Sequence, residues 1–289
     1  MKHLCFGLAL LGTLALPTHL FAESVKIEKD ITYLPADRKE KADLYLPPPS
    51  IFGKQKHPGI VIIHGGGWTG GIKDAKREIN IGTTLANEGY VCLSIDYQLH
   101  DPASPVSAWP QNLYDCKTAV RWLRANAERF HLDPDHIGVI GGSAGGHLAS
   151  MVGVTQAKDG FDPEGPYGEF SCAVNCVVDL YGPTDVTNRK QVTVLRKTLA
   201  EAPELYAQFS VTSYLDKDDP PFLILHGTAD KTVPVEQSTL LAEALTRVGV
   251  ENQIEIIEGA PHTFHLQPKQ KDLRPLVIGF FNKHLKPAK

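Results

Sequence analysis

A serine set among small residues is the first place where this sequence could do chemistry. Ser143 lies in Gly141-Gly142-Ser143-Ala144-Gly145, between an apolar run at 136–140 and the helical pattern "GHLASMVG". A G-x-S-x-G pattern between strand and helix strains the serine backbone and lifts its hydroxyl clear of the sheet edge. A side chain at Gly141 or Gly145 would collide across so sharp a turn. The helix that follows aims the positive end of its dipole at the serine. Alone the pattern is weak; its place at a strand end strengthens it.

A serine hydroxyl is a poor nucleophile until a base takes its proton. His262, in "IIEGAPHTFH" just beyond the last strand-like run, is the candidate base. Asp230, in "FLILHGTADKTVP", is the candidate acid that would fix the imidazole tautomer and stabilise its cation. The chain order Ser143, Asp230, His262 is the order that a nucleophile on a strand–turn–helix elbow calls for. A fourth feature, His64-Gly65-Gly66-Gly67-Trp68, leaves another strong strand. Its glycines free backbone N–H groups to face a cavity, as an oxyanion hole for acyl transfer requires. The run lacks the Gly-Lys-Ser/Thr ending of a phosphate-binding loop, and Trp68 spoils a dinucleotide fingerprint. Asp185 and Glu258 compete as acids and His265 as base, while His147 and His226 read as structural.

The elements that must hold these residues are strands alternating with helices. Strand candidates are "ITYL" (31–34), "KADLYLP" (41–47), "GIVIIHG" (59–65), "YVCLSIDYQL" (90–99), "HIGVIGG" (136–142), "CVVDLYG" (176–182), "FLILHGT" (222–228) and "NQIEIIEG" (252–259). The first two alternate, as a half-exposed antiparallel start would. The later ones are nearly continuous Val, Ile and Leu, as strands covered on both faces must be. Leu113, Cys116, Val120, Leu123 and Ala127 recur at helical steps, as do Leu240, Leu241, Ala244 and Leu245 after Pro234. The alternation predicts an α/β fold with crossover connections and a mostly parallel sheet. One domain over 23–289 is expected. The stretch from 187 to 220 is too long for a simple connection and reads as an inserted excursion or lid.

With 289 residues, 42% of them hydrophobic, the chain can bury a full core without metals or disulfides. A net charge of −4 gives no footprint for nucleic acid. The 12 histidines show no metal-ligand spacing. Residues 1–22 have a basic start, an apolar run and a small-residue end at Ala22, the pattern of a cleaved secretory signal. Leu20 is a large residue for its place before the cut. The apolar run is shorter than the roughly 20 residues of a span, so no stable membrane insertion is expected. Export permits disulfides among Cys92, Cys116, Cys172 and Cys176, and Cys172 and Cys176 are near enough in sequence to bridge, but spacing does not decide the pairing.

Taken together, "HGGGW", "DYQL", "DCKTAVRWLRANA", "IGVIGGSAGGHLA", "VVDLYGPTD" and "PPFLILHGTADKTVPVEQS" resemble the α/β-hydrolases. Within them the likeness is to the HGGG esterases related to hormone-sensitive lipase and to xylan-acetyl and feruloyl esterase-like proteins. It covers residues from about 40 to 285. The resemblance implies an eight-stranded, mostly parallel sheet with helices on both faces, and oxyanion donors from the backbones of Gly66, Gly67 and Ala144. It implies a serine carboxylester hydrolase that works through an acyl-enzyme without metal or organic cofactor. Together with export it points to acetyl or feruloyl esters of plant polysaccharide. The proline before His262 is a small departure, and no family motif falls in 187–220. Three rival readings are a general short-chain carboxylesterase, a prolyl-oligopeptidase-like peptidase, which shares the "HGTADKTVPVEQS" pattern, and a non-catalytic binding protein of the same fold.

Overall fold

Eight strands form one sheet whose centre is built from the most apolar runs of the chain. The computed structural model describes residues 24–53, 55–162 and 165–286; the expected secretory signal lies outside the described residues. The strands are β1 (Lys26–Ile31), β2 (Ala42–Leu46), β3 (His57–Ile63), β4 (Val91–Ile95), β5 (Leu132–Gly142), β6 (Cys176–Leu180), β7 (Phe222–Gly227) and β8 (Asn252–Ile257). The helices are α1 (Lys76–Asn87), α2 (Gln111–Ala125), α3 (Ala144–Val154), α4 (Pro203–Gln208), α5 (Glu236–Val248) and α6 (Arg274–Leu285). The sheet order is β1-β2-β4-β3-β5-β6-β7-β8. β2 runs antiparallel to β1 and to β4, and every other pairing is parallel. This is the α/β-hydrolase topology.

Successive residues of the central strands feed opposite faces of the sheet. Val61, Ile63 and Val139 join the core with Leu113, Val120, Leu148 and Leu241 of α2, α3 and α5. Ile60, Ile62, Ile140 and Val178 join the other face, with Ile81 and Leu85 of α1 and Val277 and Phe281 of α6. Double coverage explains why these strands read as unbroken apolar runs.

The start of the sheet differs from expectation. β1 covers 26–31 rather than 31–34, in the mostly exposed "KIEKDI", and its register breaks between Glu28 and Ile31. Asp30 stands there at φ 57 with its N–H donating to Asp43 Oδ1 (3.0 Å). β2 is buried along its whole length, because β1 and β4 flank it and α1 covers it; the exposed edges of the sheet are β1 and β8. The 187–220 stretch is helical only in short pieces, with α4 as its longest helix. It is no loose cover. Val192, Val194, Leu195, Tyr206, Phe209 and Val211 are buried in the core that α2 and α3 share.

Candidate active site

Ser143, His262 and Asp230 come together at the carboxyl ends of β5, β8 and β7. The Ser143 hydroxyl donates to His262 Nε2 at 2.9 Å, and His262 Nδ1–H donates to Asp230 Oδ2 at 2.5 Å. Each link has a local cause. Ser143 has φ 57 and ψ −122 at the sharp join between β5 and α3. A β-carbon on Gly141 would fall 2.2 Å from Gly145 O, and one on Gly145 would fall 2.1 Å from Ile63 O. No L side chain fits at either place, so the turn needs both glycines. The Ser143 N–H is pinned to Leu180 O at 2.8 Å.

The loops that carry Asp230 and His262 are tied to each other by hydrogen bonds. Ala229 N–H donates to Ala260 O (3.1 Å), Thr228 N–H to Ile257 O (3.1 Å), and Gly259 N–H to Thr228 Oγ1 (2.8 Å). Gly227 lets the loops approach so closely, since a β-carbon there would fall 2.1 Å from Ala260 O. Burial alone would raise the Asp230 carboxyl. The bond from His262 and the Val233 and Thr232 amides on Oδ1 (2.9 and 2.8 Å) outweigh it and hold it below the usual carboxylate value. A carboxylate so held can fix the His262 tautomer.

The glycine loop after β3 comes up beside the serine. A β-carbon on Gly65 would stand 3.2 Å from Ser143 Cβ. Gly66 and Gly67 take φ of 119 and 63, and among the described residues neither N–H has an acceptor within the chain. The Ala144 N–H opens α3, where the first amides have no helical partner. His64 stabilises the loop from behind. Its Nδ1–H donates to Gly65 O at 2.7 Å, the carbonyl of the peptide that carries the Gly66 N–H. Burial pushes the His64 imidazole down to about 4, so it stays neutral, stacked on Tyr97. Gly71 makes room: a β-carbon there would fall 2.1 Å from Gly65 O.

The competing residues are placed elsewhere. Asp185 accepts from the Thr187 N–H and hydroxyl (2.8 and 2.6 Å), and the Nδ1 of His265 accepts from the Gln267 N–H (2.9 Å). Glu258 is exposed on the turn after β8. His147 is buried and donates through Nε2 to Phe209 O at 2.7 Å, a structural role that fastens the 187–220 excursion to α3. Trp68, Trp109, His147 and Phe209 form one aromatic cluster there. Cys92, Cys116, Cys172 and Cys176 are free thiols.

Two features escaped the sequence reading. His226 does more than pack or bond backbone: its Nε2 lies 3.0 Å from Val233 O and 3.2 Å from Asp230 Oδ2, and its Nδ1 accepts from Ser238 Oγ at 2.7 Å. The four-residue step in "HGTAD" was the available signal. Arg77 and Tyr181 form a second cluster behind the serine, and nothing in their local sequence marked them.

Fold and site together define an α/β-hydrolase with a Ser-His-Asp constellation at its sheet edge. The BD-FAE family model matches residues 42–245, and the chain belongs to that family. It is 34% identical over 222 residues to "Esterase LipC" of Mycobacterium tuberculosis, covering 72% of this chain and 53% of that protein. The chain spans about half the length of the curated relatives it matches. Among solved structures it is similar to a truncated carbohydrate esterase from gut microbiota. That likeness has a TM-score of 0.81 and 27% identity, covering 92% of this chain and 98% of that one. It is also similar to an acetyl ester-xyloside bifunctional hydrolase from Caldicellulosiruptor lactoaceticus, with a TM-score of 0.69 and 27% identity over 84% of this chain and 88% of that one.

Proposed function

We propose that the chain is a secreted or periplasmic serine carboxylester hydrolase that removes acetyl or feruloyl groups from esterified plant polysaccharide through an acyl-enzyme at Ser143. The observation that carries this reading is the unbroken line from Ser143 Oγ to His262 Nε2 (2.9 Å) and from His262 Nδ1 to Asp230 Oδ2 (2.5 Å). Ser143 Oγ attacks the ester carbonyl carbon while its proton passes to His262 Nε2. The carbonyl electron pair moves to oxygen, and the anion rests against the N–H groups of Gly66, Gly67 and Ala144. Asp230 stabilises the imidazolium. The intermediate collapses, the ester C–O bond breaks, and His262 protonates the departing alcohol. A water molecule then gives its proton to the same nitrogen and attacks the acyl carbon, freeing the acid and restoring Ser143.

The carbohydrate part of the proposal is supported by the carbohydrate esterase and the acetyl ester-xyloside hydrolase that the chain resembles. Acetyl and feruloyl esters of plant polysaccharide are the substrate class. Secretion is supported by the signal-like pattern of residues 1–22. The test is hydrolysis of p-nitrophenyl acetate, butyrate and octanoate, methyl ferulate and acetylated xylan by the purified chain. Release of acetate or ferulate from the last two is expected. Turnover of p-nitrophenyl esters alone would leave a short-chain carboxylesterase and remove the carbohydrate assignment.

A further inference from the structure

The Arg77 side chain is largely covered, 13% exposed, and it stands in the first turn of α1, where a cation opposes the helix dipole. Neither fact favours it as a helix stabiliser. Its neighbours explain its place. A β-carbon on Gly142, the residue before Ser143, would lie 2.8 Å from Arg77 Nη1. One on Gly65, at the root of the glycine loop, would lie 3.2 Å from Arg77 Nη2. The same guanidinium donates from Nη1 to the Tyr181 hydroxyl at 3.0 Å. That hydroxyl donates in turn to Phe264 O at 2.7 Å, two residues beyond His262. The Tyr181 ring meets the His262 imidazole edge to face, with centroids 4.9 Å apart. Tyr181 is fully buried at φ 47, a backbone conformation that costs a tyrosine energy and needs a compensating role.

We propose that Arg77 and Tyr181 are positioning residues that lock the nucleophile turn, the glycine loop and the histidine loop into one register. The inference rests on the reading of Ser143 and His262 as nucleophile and base. The guanidinium plane braces Gly65 and Gly142 from behind, and Tyr181 carries the same constraint to the loop that holds His262. Glu78, which is buried, balances the charge, accepting from Arg77 Nε at 2.8 Å. Burial pushes the Tyr181 phenol up to about 12, so it keeps the proton it donates to Phe264 O. Tyr181 touches no reacting atom; it acts through His262.

The test uses the full chain carrying Tyr181→Phe, Arg77→Lys or both, with Ser143→Ala as control, on p-nitrophenyl acetate. Tyr181→Phe removes one hydroxyl and keeps the ring, and Arg77→Lys keeps the charge and loses the fork. The expected result is a fall in kcat of about 10- to 100-fold in each single variant with KM changed less than about twofold. The double variant falls no further than the worse single, because both act along one chain of contacts. Tyr181→Phe with wild-type kcat and KM, or a double variant whose losses multiply, would overturn the proposal while Ser143→Ala stays inactive. Activity in Ser143→Ala would overturn both this proposal and the reading beneath it. Should Arg77→Lys fail to fold, the Tyr181→Phe kcat and KM decide alone.

Discussion

His226 Nε2 stands 3.2 Å from Asp230 Oδ2, the same oxygen that accepts from His262, so one carboxylate oxygen lies between two imidazoles. The two rings are not equivalent. His226 is fully buried, and burial pushes its imidazole below the ordinary histidine value despite the carbonyl of Val233 and the charge of Asp230. It therefore stays neutral, its one proton on the nitrogen that faces Val233 O and Asp230. Replacing His226 by Ala takes the donor from Val233 O and one of the two imidazoles from Asp230 Oδ2, which keeps His262. The expected cost is about 1–3 kcal/mol of stability and a fall in kcat of about tenfold, read by urea unfolding and by p-nitrophenyl acetate turnover.

Asp230→Asn replaces an acceptor-only carboxylate with an amide whose N–H can donate to His262 Nδ1 and favour the wrong tautomer. A fall in kcat of about 10⁴-fold with the fold retained is expected. A comparable loss in Asp185→Asn or Glu258→Gln, with Asp230→Asn mild, would instead place the acid elsewhere.

Stability should depend on pH through three buried groups. Burial pushes Asp179 up to about 7 from an ordinary 3.8, with the Gly182 N–H on its Oδ1 opposing the shift. The folded chain holds that proton more tightly than the unfolded one. Its stabilising contribution is full below pH 3.8 and is lost as pH rises through about 7. Asp179→Asn can keep the bond to Gly182 and has no charge to bury. The gap in Tm between variant and parent should therefore widen from pH 4 to pH 8, and a gap independent of pH would count against the assignment.

His64 and His147 act in the opposite direction. Burial pushes both down to about 4 from an ordinary 6.5, so the unfolded chain takes up protons first. Stability they contribute is present above pH 6.5 and is lost as pH falls toward 4. The unfolding midpoint in urea should drop between pH 7 and pH 5. His147→Gln should flatten part of that drop while costing stability at pH 7, where the bond to Phe209 O is lost or weakened.

The places of Ser143, His262 and Asp230 were legible because each sits on a short glycine-containing turn after a strand, and such turns mark the carboxyl edge of a parallel sheet. The sheet was legible at its centre and at the edge strand β8, and not at β1. β1 is mostly exposed and carries only two apolar residues, Ile27 and Ile31, and its true place is fixed by pairing with β2, which no local pattern records. The helix α2 shows the limit of periodicity. Asp115, which is outside the apolar steps of that helix, is fully buried, held by both Nη atoms of Arg38 at 3.0 and 2.6 Å from 77 residues away. Arg77 and Tyr181 were hidden likewise, since their partners Gly142, Gly65 and Phe264 belong to other segments.

The central claim is that Ser143 is the nucleophile, and its most direct test is hydrolysis of p-nitrophenyl acetate by the purified chain and by Ser143→Ala. The circular dichroism spectrum and unfolding midpoint of the variant should match the parent, and kcat/KM should fall by about 10⁴-fold or more. A folded Ser143→Ala chain that keeps its activity to within about tenfold would contradict the account.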